Sequence, residues 1–178
     1  MGASIVAISG KSGCGNSTVT RLLAERLGFK VVNYTFRNMA ADRGLTLARV
    51  LELAGQDDSW DRDLDAHQVE LARAGDCVIG SRLAMWLLPE AALRVYLWAS
   101  PEIRAARIHT REGGSLDEVI AFTRKRDEAD RARYRRIYGL DNDDYSEADL
   151  TVNTERFGPA EIASILAEAL ARKLAPKA

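Results

Sequence analysis

A glycine-rich segment near the start of the chain has the spacing of a phosphate-binding loop. It runs from Gly10 to Thr18 and has the sequence Gly-Lys-Ser-Gly-Cys-Gly-Asn-Ser-Thr. The pattern G-x-x-x-x-G-K-[ST] wraps a di- or triphosphate in backbone N–H groups, and its lysine reaches the β- and γ-phosphates while its hydroxyl binds Mg²⁺. The glycines and Ser17 fit this pattern, but Asn16 stands where the lysine belongs. The spacing predicts a phosphate site that lacks one positive charge.

The segments on both sides of the loop support this interpretation over an ordinary glycine-rich turn. An apolar run from Ile5 to Ile8 precedes it and predicts a buried strand, and residues 18–27 follow with apolar side chains at helical spacing. The N-terminus of that helix favours anions through its unpaired N–H groups and its partial positive charge. We therefore expect the whole loop to contact a nucleotide. Its residues are Gly10, Lys11, Ser12, Gly13, Cys14, Gly15, Asn16, Ser17 and Thr18.

A second set of residues that could take part in binding or catalysis lies in a segment rich in arginine. Between Arg104 and Arg136 the chain carries ten basic and six acidic side chains, although the formal net charge of the protein is −1. Two sets of three residues each share one predicted helix face. The sets are Arg104, Arg107 and Arg111, and Arg126, Asp130 and Arg133.

Three interpretations of these arginines are open. They could form a solvated face with local ion pairs, bind nucleic acid, or close over phosphates in a cleft. The interleaved acids and the lack of a known nucleic-acid-binding motif disfavour the second. A phosphate-binding loop upstream favours the third, because phosphoryl transfer depends mainly on charge neutralisation.

The elements that would position these residues alternate between strand and helix. We predict five strands, which implies a parallel sheet covered by helices on both faces. The strands are residues 5–9, 30–34, 76–80, 94–99 and 150–153. About forty residues of mostly helical pattern separate the second strand from the third, which is more than a simple crossover needs. This segment has room for a substrate-binding insert.

Length and composition indicate one domain of ordinary size. The 178 residues include 47% hydrophobic and 29% charged side chains, which is typical of a soluble globular protein. We find no apolar run of membrane-spanning length and no signal-peptide pattern, so a cytoplasmic location without a membrane partner is expected. Two cysteines, Cys14 and Cys77, are too few for a disulfide framework.

Several segments beyond the loop resemble the cytidylate (CMP) kinase family. Residues 126–133 resemble its R-D-x-x-D-x-x-R segment, and residues 149–154 resemble its D-x-x-x-N/D-T ending. The resemblance covers nearly the whole chain in order, and the compact length is closer to the archaeal-type branch. Its other parts are Phe36-Arg37, residues 61–65, residues 78–86, Arg133-Tyr134 and residues 137–141.

The resemblance implies a fold and a reaction. The fold is a P-loop NTPase-like three-layer α/β domain over residues 1–178, with a helical acceptor-binding insert at about 35–75 and a short lid at about 107–125. The reaction is transfer of the γ-phosphoryl group of ATP to CMP or dCMP, with Mg²⁺ bridging the donor phosphates. The partners implied are these nucleotides and no nucleic acid, and we expect a monomer.

The same resemblance implies roles for individual residues. Arg37, Arg82 and Arg133 would hold the phosphate of the acceptor. Arg126 and Asp130 would reach its ribose, and Ser17 would bind Mg²⁺. Arg107 and Arg111 would lie at the edge of the lid near the donor phosphates. The catalytic set implied is therefore Arg107, Arg111, Arg126 and Arg133. Asp61 and Asp65 would either touch the acceptor or be surface charges of a helix.

Two departures from the family pattern leave alternatives open. Asn16 replaces the loop lysine, and Gly80 stands where the family has an acid that orients water on Mg²⁺. Lys11 is one substitute for the missing lysine, and a solvent-exposed charge is the alternative for it. A nucleotide-binding protein that has lost turnover and acts as a sensor is the rival to a kinase. Base preference among CMP, dCMP, UMP and AMP is not determined by these residues.

Overall fold

A five-stranded sheet forms the centre of the molecule. The computed structural model describes residues 4–176. All neighbouring strands are parallel, in the order β2-β3-β1-β4-β5, which confirms the predicted sheet. The strands are β1 (Ile5–Ser9), β2 (Lys30–Val32), β3 (Cys77–Gly80), β4 (Leu93–Trp98) and β5 (Leu150–Asn153). The predicted second strand was two residues too long, and the third and fourth differ from prediction by one residue at their ends.

In the described part of the chain, residues 4–176, eight helices connect and cover the strands. The helices are α1 (Asn16–Leu27), α2 (Phe36–Asp42), α3 (Leu47–Gln56), α4 (Ser59–Arg73), α5 (Ala84–Leu87), α6 (Pro101–Glu112), α7 (Leu116–Tyr138) and α8 (Pro159–Leu174). Gly113 and Gly114 adopt positive φ angles and separate α6 from α7. Within residues 4–176, no helix has the length and apolar character needed to cross a membrane.

Strand β1 is buried on both faces because it lies in the middle of the sheet. Val6 and Ile8 point to one side, where they pack in a cluster with α1 and α8. Ile5 and Ala7 point to the other side and pack with residues of α4 and α5. Side chains alternate between the faces of a strand, so a continuous apolar run is what a central parallel strand requires. The result is the three-layer arrangement that the alternating pattern predicts.

The strand order places the end of β1 where ligands of open parallel sheets bind. From β1 the chain passes through α1 to β2 at one edge, and it later crosses to β4 on the other side of β1. The carboxyl end of β1 is therefore a topological switch point, where loops diverge and leave a crevice. Helices α2, α3 and α4 form the segment between β2 and β3, with a small core around Met39, Ala40 and Val50.

Gly80, the last residue of β3, lies directly against α1. A β-carbon at this position would lie 2.3 Å from Thr20 Oγ1 and 3.1 Å from Thr20 Cβ. Thr20 is buried, and its hydroxyl has no hydrogen-bond partner among the described residues. The space in which a side chain at position 80 would begin is therefore occupied by Thr20. An acid at position 80 would require a smaller residue at position 20.

We predict that Gly80→Ala destabilises the protein and that Thr20→Ala relieves most of this effect. Overpacking of the contact should lower the free energy of unfolding by about 1–3 kcal/mol, and the double variant should recover at least half of that loss. Urea denaturation measures each value. Gly55→Ala is the control, because a β-carbon at Gly55 meets no atom within 4 Å. Equal stability of Gly80→Ala and wild type would contradict the steric account.

Candidate active site

The glycine-rich loop joins β1 to α1 and leaves the helix N-terminus open. The amide of Cys14 donates to the carbonyl oxygen of Lys11 at 3.1 Å, which closes a turn within the loop. Gly15 has a φ of 95° and caps α1, whose first turn carries the exposed Ser17 and Thr18. The first amides of a helix have no intrahelical acceptor, so this end can receive an anion.

Asn16 turns its side chain back onto the loop. Its Nδ2 atom donates to the carbonyl oxygen of Gly10 at 2.9 Å. The Oδ1 atom is buried and has no hydrogen-bond partner among the described residues. The amide carries no charge. Its hydrogen bond joins the last part of the loop, at Asn16, to the first residue, Gly10. Position 16 therefore shapes the loop but cannot neutralise a phosphate.

Two arginines of α6 hold the loop from its outer side. Arg104 is 2% exposed, and its guanidinium donates to the carbonyl oxygen of Ser12 at 3.1 Å. Arg107 donates to the carbonyl oxygen of Gly13 at 3.2 Å. In a trans peptide the N–H group points opposite to the C=O group. The amides that follow these carbonyls therefore point away from the arginines, toward the inside of the loop.

The same two guanidiniums tie the loop to other elements. Arg104 forms a bidentate ion pair with Asp127 of α7, at 2.5 and 3.2 Å. Arg107 donates to the hydroxyl and the carbonyl oxygen of Thr154, which follows β5. Gly13 permits this close approach, because it has a φ of 87° and its missing β-carbon would lie 2.8 Å from the backbone of Arg104. The loop is thus held between β1, α6, α7 and the end of β5.

The predicted lid arginines differ in their surroundings. Arg107 is bound behind the loop, as described above. Arg111, one turn later on α6, is exposed and pairs with its neighbour Glu112 at 2.5 Å. In the conformation of the structure, neither side chain points across the open end of α1. Their catalytic role stays a prediction for a closed state.

Four of the predicted acceptor residues come together beside the loop, and we call them the acceptor cluster: Arg82, Arg126, Asp130 and Arg133. Asp130 is 8% exposed and accepts from Arg133 at 3.0 Å, and it lies 3.2 Å from Arg82 Nε. Burial and the charge of Arg82 lower the pKa of Arg126. Three guanidiniums around one carboxylate leave an excess of positive charge, which suits a phosphate. Arg37 lies exposed on α2 and is not in this cluster.

Helix α4 faces the acceptor cluster with acids that the sequence left ambiguous. Asp61 is 4% exposed and lies 3.6 Å from Arg133, while its Oδ2 atom has no hydrogen-bond partner among the described residues. Asp58 forms a bidentate ion pair with Arg136, and Asp65 accepts from the hydroxyl of Tyr138 at 2.6 Å. Asp61 and Asp65 are therefore contacts between the insert and α7, not surface charges. Their one-turn spacing could have suggested a shared face but not which helix it meets.

A loop after α7 completes the site on the side of β4. Asp141 accepts from Arg131 at 2.7 and 2.9 Å, which lowers the pKa of Asp141. Asp143 forms an ion pair with Lys11 of the glycine-rich loop. A narrow crevice, with no room for a water molecule in this conformation, lies between this loop, the glycine-rich loop and the acceptor cluster. Its lining residues are Gly10, Lys11, Arg82, Tyr96, Asp130 and Asn142. The acid-rich run 141–147 could have indicated this loop, but it was not among the predicted site residues, and its partner could not be predicted.

The oxygen donors available suit a Mg²⁺ ion that arrives with its nucleotide. Ser17 offers a hydroxyl at the start of α1, and the described residues contain no cluster of three or more His, Cys, Asp or Glu side chains that could hold a metal. Mg²⁺ usually keeps several waters and binds through few protein oxygens together with substrate phosphates. With Gly80 facing Thr20, Ser17 is the predicted ligand that remains.

We predict that Arg104→Met destabilises the protein far more than Arg124→Met. Both arginines join α6 to α7, but Arg104 is buried with Asp127, whereas Arg124 and its partner Glu102 are each 62% exposed. Removing one partner of a buried ion pair leaves an uncompensated charge and costs about 3 kcal/mol, whereas an exposed pair is worth about 0–1 kcal/mol. Denaturant titration measures both. Similar losses for the two variants would contradict the role of Arg104.

We predict that Asp65→Asn stabilises the protein at neutral pH but not in acid. Burial raises the pKa of Asp65 to about 6, although the hydrogen bond from Tyr138 opposes this. The folded protein therefore holds a proton that the unfolded chain, with a pKa of about 4, has already lost. Stability from this group is present below about pH 4 and lost as the pH rises to about 6.

The asparagine variant keeps an acceptor for Tyr138 and never bears the charge. Its free energy of unfolding should exceed that of wild type by about 2 kcal/mol at pH 7.5 and match it at pH 4. Asp63→Asn, on the same helix with an exposed side chain, is the control for the loss of one carboxylate from α4. A constant difference between Asp65→Asn and wild type at all pH values would exclude this titration.

Comparison with known proteins places this geometry in a family. Residues 5–156 match the model of the cytidylate kinase-like family. Cytidylate kinase 2 of Borreliella afzelii (strain PKo) is 40% identical over 172 residues, which cover 94% of this chain and 97% of that protein. Cytidylate kinase of Halobacterium salinarum is 41% identical over 170 residues, which cover 93% of this chain and 88% of that protein.

Solved structures agree with the fold at low sequence identity. Shikimate kinase from Acinetobacter baumannii superposes with a TM-score of 0.62 at 19% identity, covering 97% of this chain and 96% of that one. A gluconokinase from Sinorhizobium meliloti gives 0.59 at 19% identity, covering 96% and 92%. These likenesses confirm the P-loop NTPase-like three-layer fold. The match over residues 5–156, together with relatives about 40% identical over nearly the whole chain, shows that the protein belongs to the cytidylate kinase-like family.

Proposed function

We propose that this protein is an ATP-dependent kinase that transfers the γ-phosphoryl group to CMP or dCMP and releases ADP with CDP or dCDP. One observation carries the proposal. The glycine-rich loop at the start of α1 and a cluster of arginines border one narrow crevice, to which the loop contributes Gly10 and the acceptor cluster contributes Arg82 and Asp130. A phosphoryl group that passes between two nucleotides needs such an arrangement.

On the donor side, the loop and the start of α1 would bind the phosphates of ATP. The amide of Gly13, which follows the Ser12 carbonyl, and the N-terminus of α1 supply hydrogen bonds and partial positive charge, while the amide of Cys14 stays bound to the carbonyl oxygen of Lys11. We propose that all residues from Gly10 to Thr18 contact the donor, with Ser17 as the protein ligand of Mg²⁺. When bound, the ion would neutralise charge on the β- and γ-phosphates.

On the acceptor side, Arg82 and Arg133 would bind the phosphate of CMP, and Arg37 would join them when the insert closes. Arg126 and Asp130 would contact the ribose, since guanidinium forks and carboxylates suit phosphate and hydroxyl groups. Asp130 holds Arg82 and Arg133 in place before substrate binds. A phosphate can then enter an arginine cluster that is already assembled, which lowers the entropic cost of binding.

The reaction itself would require positioning and no strong base. In-line transfer passes through a transition state with charge spread over the phosphoryl oxygens, so surrounding cations lower its energy. We propose that residues 107–125 close as a lid that brings Arg107 and Arg111 toward these oxygens, while residues 35–75 close over the acceptor. Closure would exclude water and limit hydrolysis of ATP. The proposal further comprises a monomer that acts in the cytoplasm and binds no nucleic acid.

The direct test is ADP release, measured by a coupled assay with CMP, dCMP, UMP or AMP as acceptor. We expect turnover with CMP and dCMP, and the rates with UMP and AMP measure the base preference. Failure of all four acceptors would contradict the proposal. In that case a rise in melting temperature on addition of ATP and CMP would indicate a nucleotide sensor of the same fold.

We predict that Arg133→Ala lowers kcat/KM for CMP by about 100-fold or more, because charge-assisted hydrogen bonds to a phosphate contribute about 1.5–3 kcal/mol each. The KM for ATP should change little. Arg172→Ala is the control, since Arg172 is exposed on α8 and pairs with Glu168. Melting temperatures verify that both variants fold, because Arg133 also pairs with the buried Asp61. Unchanged kcat/KM for CMP in Arg133→Ala would remove this residue from the acceptor site.

A further inference from the structure

Position 16 leaves the glycine-rich loop without its usual cation, and the charge must come from elsewhere. The Asn16 amide is engaged with the Gly10 carbonyl, as described above. Arg104 and Arg107 bear charge close to the loop, but both donate to carbonyls on its outer side. Their charge acts through the loop backbone and does not face the space between donor and acceptor.

Lys11 is the lysine that does face this space. Lys11 borders the crevice together with Arg82 and Asp130 of the acceptor cluster, and its ammonium group pairs with Asp143. Its side chain is 21% exposed, whereas a surface lysine would be mostly free in solvent. A phosphoryl group moving from the loop to the arginines would pass beside it. Lys11 is therefore located where the charge on the transferred group develops.

The ion pair between Lys11 and Asp143 can open without leaving Asp143 unpaired. Asp143 binds Lys11, and its other carboxylate oxygen lies 3.5 Å from Arg131 Nε. Asp143 would thus keep a cation if Lys11 left. Its loop is held in place, because Asn142 is buried and Asp141 is bound by Arg131 and Arg135. The flexible part of the pair is the lysine, whose four-carbon chain can turn to a new anion without moving the backbone.

A triphosphate competes well for this ammonium group. Asp143 offers a single negative charge to Lys11, from a side chain that is 37% exposed. Bound ATP brings several negative charges to the adjacent loop, where water is partly excluded and electrostatic attraction is stronger. Transfer of Lys11 from Asp143 to the β- and γ-phosphates is therefore favourable.

We propose that Lys11 takes over the role of the missing loop lysine, binding the β- and γ-phosphates of the donor and neutralising the phosphoryl group in transfer. Asp143 forms an ion pair with Lys11 while the site is empty. The inference rests on the proposed kinase function and adds a catalytic residue to it. Asn16 and Lys11 then form one arrangement, in which the first shapes the loop and the second supplies the charge.

Steady-state kinetics of Lys11→Ala with ATP and CMP provide the first test. Loss of one preorganised electrostatic contact to the transition state typically lowers kcat by about 100- to 1,000-fold, and the KM for CMP should change less than threefold. Lys30→Ala, an exposed residue at the start of β2, is the matched control and should behave as wild type. A kcat for Lys11→Ala within threefold of wild type would overturn the inference.

Binding without turnover gives a second readout. Calorimetry should show that Lys11→Ala lowers the affinity for the nonhydrolysable ATP analogue AMP-PNP at least tenfold. The affinity for AMP, which lacks the β- and γ-phosphates, should be unchanged. Equal weakening of both ligands would indicate a damaged loop and overturn the inference. Wild-type protein is assayed in parallel. If the kinase function itself is wrong, wild type also shows no turnover; if only the role of Lys11 is wrong, wild type turns over normally.

Asp143→Ala separates the lysine from its ion pair. If Lys11 acts on phosphate, this variant should keep kcat within threefold of wild type and bind AMP-PNP at least as tightly, because a competitor for the ammonium group is gone. If the ion pair only braces the loop, Asp143→Ala should lose as much activity as Lys11→Ala. That second result would overturn the inference.

Discussion

The buried guanidinium of Arg104 is the contact on which the arrangement of the site depends. It binds the carbonyl oxygen of Ser12 and both carboxylate oxygens of Asp127, so one side chain joins the glycine-rich loop, α6 and α7. A loop of this composition has many accessible conformations, and the amides of only a few of them converge on a phosphate. A guanidinium that holds the outer carbonyls selects such a conformation before any nucleotide arrives. Because Asp127 adjoins Arg126 on α7, the same contact positions the acceptor cluster relative to the loop.

The rest of the site depends on the balance between closely spaced arginines and the acids that pair with them. Arg82, Arg126 and Arg133 would repel one another at close range, and Asp130 keeps them together. Asp61, buried against Arg133, adds a second carboxylate at the interface with the insert. Burial raises the pKa of Asp61, since its environment favours the neutral acid. In this structure the arginines are thus paired with acids, and under the proposed function a phosphate would compete with those acids.

The fold and the loop could be predicted because their signals are local. β1, the loop and α1 are consecutive in the chain, and the strands alternate with helices at ordinary spacing. The interpretation of the arginines as one helix face was only partly correct, because Arg104 is buried against residues 92 positions earlier and 23 positions later. The same limit applies to Asp61, Asp65 and Asp143, whose partners lie on other elements. Spacing identifies which residues share a face, but only tertiary packing determines what that face meets.

The contact between Gly80 and Thr20 also bears on how such a site can change over evolution. A side chain at the end of β3 and the Thr20 hydroxyl in its present position need the same volume, because a β-carbon at position 80 would lie 2.3 Å from that oxygen. An acid could therefore enter position 80 only together with a smaller or displaced side chain at position 20, so a substitution at one of these positions changes what the other can hold.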